Sequence, residues 1–313
     1  GMIGHSQYVI DQARALRPAL PGAVVPMGVP LPPHLARDTA RAALGIKPHI
    51  PLWASFGHIN PYKRMESALR AFQQFRTEQP HARYVLVGSV SPSYDVSALI
   101  RRLDLAEAVT VTGYVPRVAF ERYVAAADLC LNLRYPTAGE TSASLLRLLG
   151  AGRPTLVSAV GALAELPDAV CAKVDVDWSE TELILAYARL LQTQPAVAAQ
   201  LGNNARAFVA REHTLPGAAL GYMQFLSVVY GWEPPQIVRD VLWVIDDHAA
   251  QNTDQRADAR HATVQPVDAA VQPLVAELAS AAAEIGVQED DAQPLEDIAA
   301  TLADLLAAPP QRH

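Results

Sequence analysis

From about Ala23 to Val174 the sequence alternates between short β-rich runs and longer segments whose apolar residues recur at helical spacing. This rhythm restricts the fold more than any other feature of the chain. Pro51–Phe56 is a short apolar run ending in Gly57, after which Met65–Arg76 places Ala68, Leu69, Phe72 and Phe75 on one helix face. Tyr84–Val87 is stopped by Gly88, Ala98, Leu99 and Leu103 share a helix face, and Val109–Thr112 is stopped by Gly113. Phe120, Tyr123, Val124 and Ala127 repeat the helical spacing before Leu129–Leu133, a buried-type strand. Helix Ser142–Leu149, strand Thr155–Ser158 and the run Val170–Val174 complete the series. Strands alternating with helices of this length build βαβ units, and therefore a parallel sheet covered on both faces. The expected fold class is α/β: a doubly wound, Rossmann-like parallel sheet followed by C-terminal helices.

The rest of the chain reads differently. Glu180–Leu191, Val197–Arg211 and Leu220–Trp232 are amphipathic helices with no strand between them, and Ile237–Ile245 can form one more beyond Pro234-Pro235. After Asp246 the composition shifts to Ala, Asp and Gln; Gln251–Gln265 reads as a linker, and two modest amphipathic helices follow it. The expected division is therefore an interdomain segment over 1–22, a Rossmann-like domain over 23–250 and a helical tail over 251–313.

Composition narrows the function classes. Half of the 313 residues are hydrophobic, which excludes disorder and fibrous repeats for most of the chain. The net charge of −7, with no block of Lys or Arg, argues against nucleic acid as a partner. Cys130 and Cys171 lie in apolar runs and cannot make a disulfide framework, which favours a reducing compartment. No apolar stretch is long enough for a transmembrane helix, and Gly1–Pro18 does not read as a signal peptide, so a cytoplasmic protein is expected. Gly1 ahead of Met2 looks like a tag remnant.

In an open parallel sheet, ligands sit outside the carboxyl ends of the strands, near the switch in strand order. The segments to inspect are Gly57–Arg64, Gly88-Ser89, Gly113–Val115 and Arg134–Ser142. They hold approachable glycines, the cations Lys63, Arg64 and Arg134, the carboxylate Glu140 and a helix start at Thr141/Ser142. Helix N-terminal amides combined with cations make an anion site suited to phosphate. Other chemistries find no support in the letters. Gly150-Ala151-Gly152 follows a helix and lacks the third glycine of a dinucleotide fingerprint. There is no phosphate-loop signature, no Gly-x-Ser-x-Gly elbow and no metal-ligand spacing among the histidines and cysteines.

These segments, in this order, resemble the C-terminal, donor-binding half of retaining GT-B glycosyltransferases of the group 1 family. Phe56–Arg64 is similar to that family's Gly-Arg…Lys-Gly loop, and Tyr84–Gly88 to its next strand. Val109–Val115 resembles the Val-x-Phe-x-Gly strand end, and Ala127–Pro136 the Ala-Asp-x-x-x-x-Pro strand. Glu140–Pro154 resembles the Glu-Gly-Phe-Gly…Leu-Leu-Glu-Ala…Cys-Gly-x-Pro signature. Gly4–Val9 and Val25–Val29 are similar to the last interdomain stretch, so that the resemblance covers roughly residues 4 to 230.

The resemblance implies a nucleotide-sugar-dependent transferase whose donor is a nucleoside diphosphate sugar, with no cofactor and no metal in the site. It makes Lys63 and Glu140 the catalytic pair, Glu140 touching the donor sugar's hydroxyls. His58, Lys63, Arg64, Thr141, Ser142 and Ala143 would bind the diphosphate, His58 standing where the family has Arg. Gly113, Tyr114 and Val115 would border the nucleobase, and Arg147 stands where the family has a ribose-binding Glu. The acceptor-binding N-terminal half is expected to be missing, leaving a fragment with little activity alone. The alternatives are a decayed nucleotide-binding or scaffolding module, favoured by Arg147 and His58, and a nucleotide-sugar epimerase of similar two-half build.

Overall fold

The structure, a computed structural model, describes residues 1–231. It divides into a unit spanning Gly1–Thr214 and a second that begins at Leu215. The expected helix Ile237–Ile245, the 251–265 linker, the tail helices and the boundary near 250 lie outside the described residues.

The first unit opens with a two-stranded parallel sheet, β1 (Met2–Gly4) and β2 (Gly22–Val24), joined by α1 (Gln7–Leu16). Ser6 caps α1 by accepting from the Val9 amide, and Glu165 accepts from the Gln7 and Tyr8 amides at the same end. Helix α2 (Arg37–Ala43) leads into the main sheet.

The main sheet begins with β3 (Leu52–Phe56), a 3-10 turn over Pro61–Lys63, α3 (Met65–Glu78), β4 (Arg83–Val87), α4 (Val96–Arg102), β5 (Val109–Gly113) and α5 (Arg117–Ala126). It continues through β6 (Leu129–Asn132), α6 (Ala143–Gly150), β7 (Thr155–Ser158), α7 (Gly161–Ala164) and β8 (Ala172–Val174). Helices α8 (Glu180–Thr193) and α9 (Pro195–Glu212) close the first unit; α10 (Leu215–Tyr230) belongs to the second. Each of the six strands expected between Pro51 and Val174 is present, and all pairings are parallel.

The order is β5-β4-β3-β6-β7-β8. The chain runs outward from β3 to β5, then crosses back to β6 and runs outward the other way. The switch point thus falls between β3 and β6, with the segments after those strands at its mouth.

Side chains alternate across the sheet as a pleated strand requires. Trp53, Tyr84, Leu86, Leu129 and Leu131 enter one core with α3, α4 and α8, whereas Leu52, Ala54, Phe56, Val85, Val87 and Cys130 enter the other with α5. On the first face, the Trp53 ring lies 5.2 Å from Phe72, 5.1 Å from Phe75 and 5.9 Å from Tyr84. Helix α3 buries Met65, Ala68, Leu69, Phe72 and Phe75, the stripe expected from their spacing.

A polar clamp ties the sheet to α2 near the start of β3 and β6. The fully buried Arg41 donates to Asp128 at 2.6 Å and to the carbonyls of Ala126, Pro48 and Ile50 at 2.8–2.9 Å. Asp128 also accepts from Arg37 and from the Leu52 amide, each at 2.8 Å. The buried charge is thereby paired and hydrogen-bonded, the condition under which an interior guanidinium is tolerated.

Candidate functional site

The loops after β3 and β4 approach backbone to backbone. A β-carbon on Gly88 (φ +149°) would lie 2.0 Å from the Gly57 carbonyl oxygen, so only glycine fits there. Gly57 (φ +89°) turns the chain out of β3. Asn60 and Pro61 then start the 3-10 turn, and proline's fixed φ suits that first position. The turn brings Lys63 back under the strand end, where it is 7% exposed and its Nζ donates to the Phe56 carbonyl at 2.9 Å.

On the other side of the switch point, Ser142 is the N-cap of α6, its hydroxyl accepting from the Leu145 amide at 3.2 Å and lying 3.0 Å from the Ser144 Oγ. The first-turn amides at Ala143 and Ser144 have no partner within the helix, as at any helix start. Lys63 and this helix start meet. A methyl group on Gly57 would stand 3.1 Å from the Lys63 Nζ and 3.7 Å from the Ser144 Oγ. An ammonium, two hydroxyls and a helix N-terminus therefore converge on a backbone without a side chain, an arrangement that attracts an oxyanion.

The remaining expected residues distribute as follows. Exposed His58 stands at the rim, its Nδ1 3.0 Å from the Ser89 Oγ. Arg64 takes the left-handed conformation (φ 54°), and its Nε lies 2.9 and 3.0 Å from the two carboxylate oxygens of Glu180, a buried residue that also accepts from Ser67. Its guanidinium is thus engaged in a forked ion pair, 5.9 Å from the Tyr135 ring. Thr141 is half-buried and Ala143 exposed beside Ser142.

Glu140 accepts from Arg134, from the Thr137 hydroxyl at 3.0 Å and from the Ala138 amide at 3.0 Å. Burial opposes its ionisation, but the backbone amides, the Arg134 charge and the Thr137 hydroxyl outweigh that and hold the carboxyl below its usual range. At the end of β5, Gly113 opens onto free space, Tyr114 is 72% exposed and Val115 packs against the α5 core. Arg147 lies one turn beyond Ser144 on α6, with its guanidinium 6.0 Å above the Phe120 ring. It lines a cavity between α5, α6 and the 30–35 segment that Gly57, Lys63 and Ser142 do not reach.

Sequence reasoning passed over Ser144, Asn132 and Glu180 as groups that shape this crevice, and singled out Arg134 only as a cation. Ser144 adds a hydroxyl beside Ser142, and Asn132, 2% exposed at the end of β6, sends its Nδ2 to 3.5 Å from the Ser142 Oγ. Arg134, 5% exposed, anchors Glu140. Among the described residues the Asn60 and Asn132 Oδ1 atoms and the Arg134 Nε are buried without a hydrogen-bond partner, three of four such side-chain atoms and all near the strand ends flanking the switch point. Position at the carboxyl end of a strand was the signal available for Asn132; none existed for Glu180, 116 residues from Arg64.

Residues 50–193 match the model of the family described as "Glycosyl transferases group 1". No curated protein matches the chain. Among solved structures, sucrose-phosphate synthase from Thermosynechococcus elongatus is 22% identical with a TM-score of 0.63, over 73% of this chain and 58% of that one. Anabaena HepE in complex with UDP and glucose is 16% identical with a TM-score of 0.59, over 73% of this chain and 62% of that one. The C-terminal domain of a group 1 family glycosyl transferase from Francisella tularensis is 15% identical with a TM-score of 0.51, over 59% of this chain and 96% of that domain. The chain thus spans about 60% of the length of the first two. Residues 50–193 thus carry the match to the group 1 glycosyl transferase model, and the described six-stranded domain has the GT-B, Rossmann-like fold of these structures.

Proposed function

We propose that this chain binds a nucleoside diphosphate sugar and serves as the donor-binding part of a retaining glycosyltransferase whose acceptor site lies in another half. The observation that carries this reading is the meeting of the Lys63 ammonium with the N-terminus of α6 beside Gly57, at the switch point of the sheet. A diphosphate seated there would face a buried cation, the Ser142 and Ser144 hydroxyls and the open amides of the first helical turn. HepE was crystallised with UDP and with UDP-glucose, which makes the uridine donor the first to try.

In such a transfer the bond between the anomeric carbon and the diphosphate oxygen breaks, and the electron pair leaves with the diphosphate. Positive charge grows on the sugar and negative charge on the leaving group. Lys63 and the α6 dipole are fixed before reaction and stabilise the departing anion without reorganising. Glu140, kept ionised by Arg134 and its amides, accepts from the donor sugar's hydroxyls and places the anomeric carbon. Arg64 is the second diphosphate cation of this reading: its pairing with Glu180 fixes the turn that carries Lys63. His58 supplies a weaker rim contact to the diphosphate, and Gly113–Val115 border the base. The acceptor oxygen then bonds to the anomeric carbon and loses its proton to a group outside this half.

Calorimetric titration with UDP and UDP-glucose tests the proposal. Lys63→Ala should weaken binding about 10- to 100-fold, the loss of one charge-assisted contact of roughly 1.5–3 kcal/mol. Absence of binding by any nucleoside diphosphate or its sugar would leave the second reading, a scaffolding module, which Arg147 favours by standing where the family carries its ribose carboxylate.

A further inference from the structure

The cavity between α5, α6 and the 30–35 segment has a volume of about 280 Å³. Its charged lining is Arg117, Glu121, Arg122 and Arg147, two net positive charges in a chain whose overall charge is −7. Glu121 is already engaged, accepting from Arg117 at 2.9 Å one helical turn away. Arg147 is half-buried, with its guanidinium 6.0 Å over the Phe120 ring; among the described residues that guanidinium makes no hydrogen bond and no ion pair. Pro30 and Pro32 supply rigid apolar walls. A half-buried cation next to other cations, in a concave site, is an arrangement that an incoming anion relieves.

We propose that this cavity is a binding site for the phosphate monoester of a small organic molecule, with Arg147 and Arg117 holding the phosphate and the proline walls receiving the organic part. A phosphate monoester carries about −1.5 to −2 charges at pH 7, which matches the lining, whereas a carboxylate would leave the cavity positive. The planar guanidinium offers parallel N–H groups in the spacing that phosphate oxygens accept. Neither Lys63 nor Ser142 lines this cavity, while Arg147 holds the position that the resemblance gives to the ribose contact, so the Lys63 variant below serves to tell the two sites apart.

The test is calorimetric titration of the full chain with inorganic phosphate, glucose 1-phosphate and uridine 5′-monophosphate, which distinguish bare anion, sugar phosphate and nucleotide as sources. At least one should bind. Arg147→Gln should weaken that binding tenfold or more and Arg117→Gln several-fold, while Lys63→Ala stays within twofold of the parent. Arg147→Lys keeps the charge without the fork and should fall between parent and Gln variant; matched thermal melts certify the fold of each. Failure of all three probes to bind the parent overturns the proposal, as does unchanged binding by a folded Arg147→Gln. Loss that follows Lys63→Ala instead would assign the bound phosphate to the crevice and equally overturn it.

Discussion

At the scale of single residues, Glu140 shows how a site can be legible in type yet not in wiring. Its place just before a helix made it a candidate from sequence alone, but Arg134, Thr137 and the amides that hold it ionised are visible only in the fold. These contacts carry a pH signature. The folded carboxyl titrates below its ordinary value of 4.5, so it contributes stability above that pH and loses it as the pH falls through the depressed folded value. Glu140→Gln cannot make this contribution at any pH. Its melting temperature should lie below that of the parent at pH 7, and the gap should narrow by pH 3, as paired thermal melts would show. An unchanged gap would mean that the Arg134 pair is not felt. Lys63 and Ser142 were legible because each follows a strand on the same end of the sheet. Arg64 was legible only as a cation, since its carboxylate partner stands 116 positions away in a helix start that reads equally well as simple dipole compensation.

At the scale of elements, the strands that punctuate the sequence with glycine are the ones it reveals best. Five-residue strands such as β3 and β4, stopped by Gly57 and Gly88, announce themselves; three-residue β1 and β2 have no room for a periodicity, and four-residue α7 has barely one turn. Helix α2 was invisible for another reason: its sequence, Arg37–Ala43, offers a buried Ala and a buried Arg where an apolar stripe is sought. The stop glycines are not equivalent. A β-carbon on Gly88 meets the Gly57 carbonyl oxygen at 2.0 Å, whereas one on Gly113 (φ +69°) meets nothing within 4 Å. Gly113→Ala should therefore cost only the left-handed backbone penalty of about 1–2 kcal/mol. Gly88→Ala adds overpacking of about 1–3 kcal/mol and moves the β3 loop that carries Lys63. Denaturant midpoints should rank the two variants in that order, and nucleotide binding should fall for Gly88→Ala through the displaced loop that carries Lys63.

At the scale of the molecule, alternation of strand and helix was enough to give the parallel sheet, while the order of its strands came from structure. That order puts the loops after β3 and β6 side by side, and so converts two separate sequence motifs into one crevice. Opposite the crevice, Arg41 holds the start of the same two strands through Asp128 and four carbonyls. Arg41→Ala leaves buried acceptors and the carboxylate short of a partner, and should cost about 3–5 kcal/mol in global stability, read as a lower urea midpoint without change of slope. The crevice residues from Gly57 to Glu180 all fall within the unit Gly1–Thr214, which contains the complete six-stranded sheet and its own cores on both faces. A domain with its own core can fold alone. A chain ending at Thr214 should then unfold cooperatively and bind UDP within threefold of the 313-residue protein. Loss of binding by a folded 1–214 chain would show that residues beyond 214 complete the nucleotide site, and would move the search for the ribose and base contacts to that second unit.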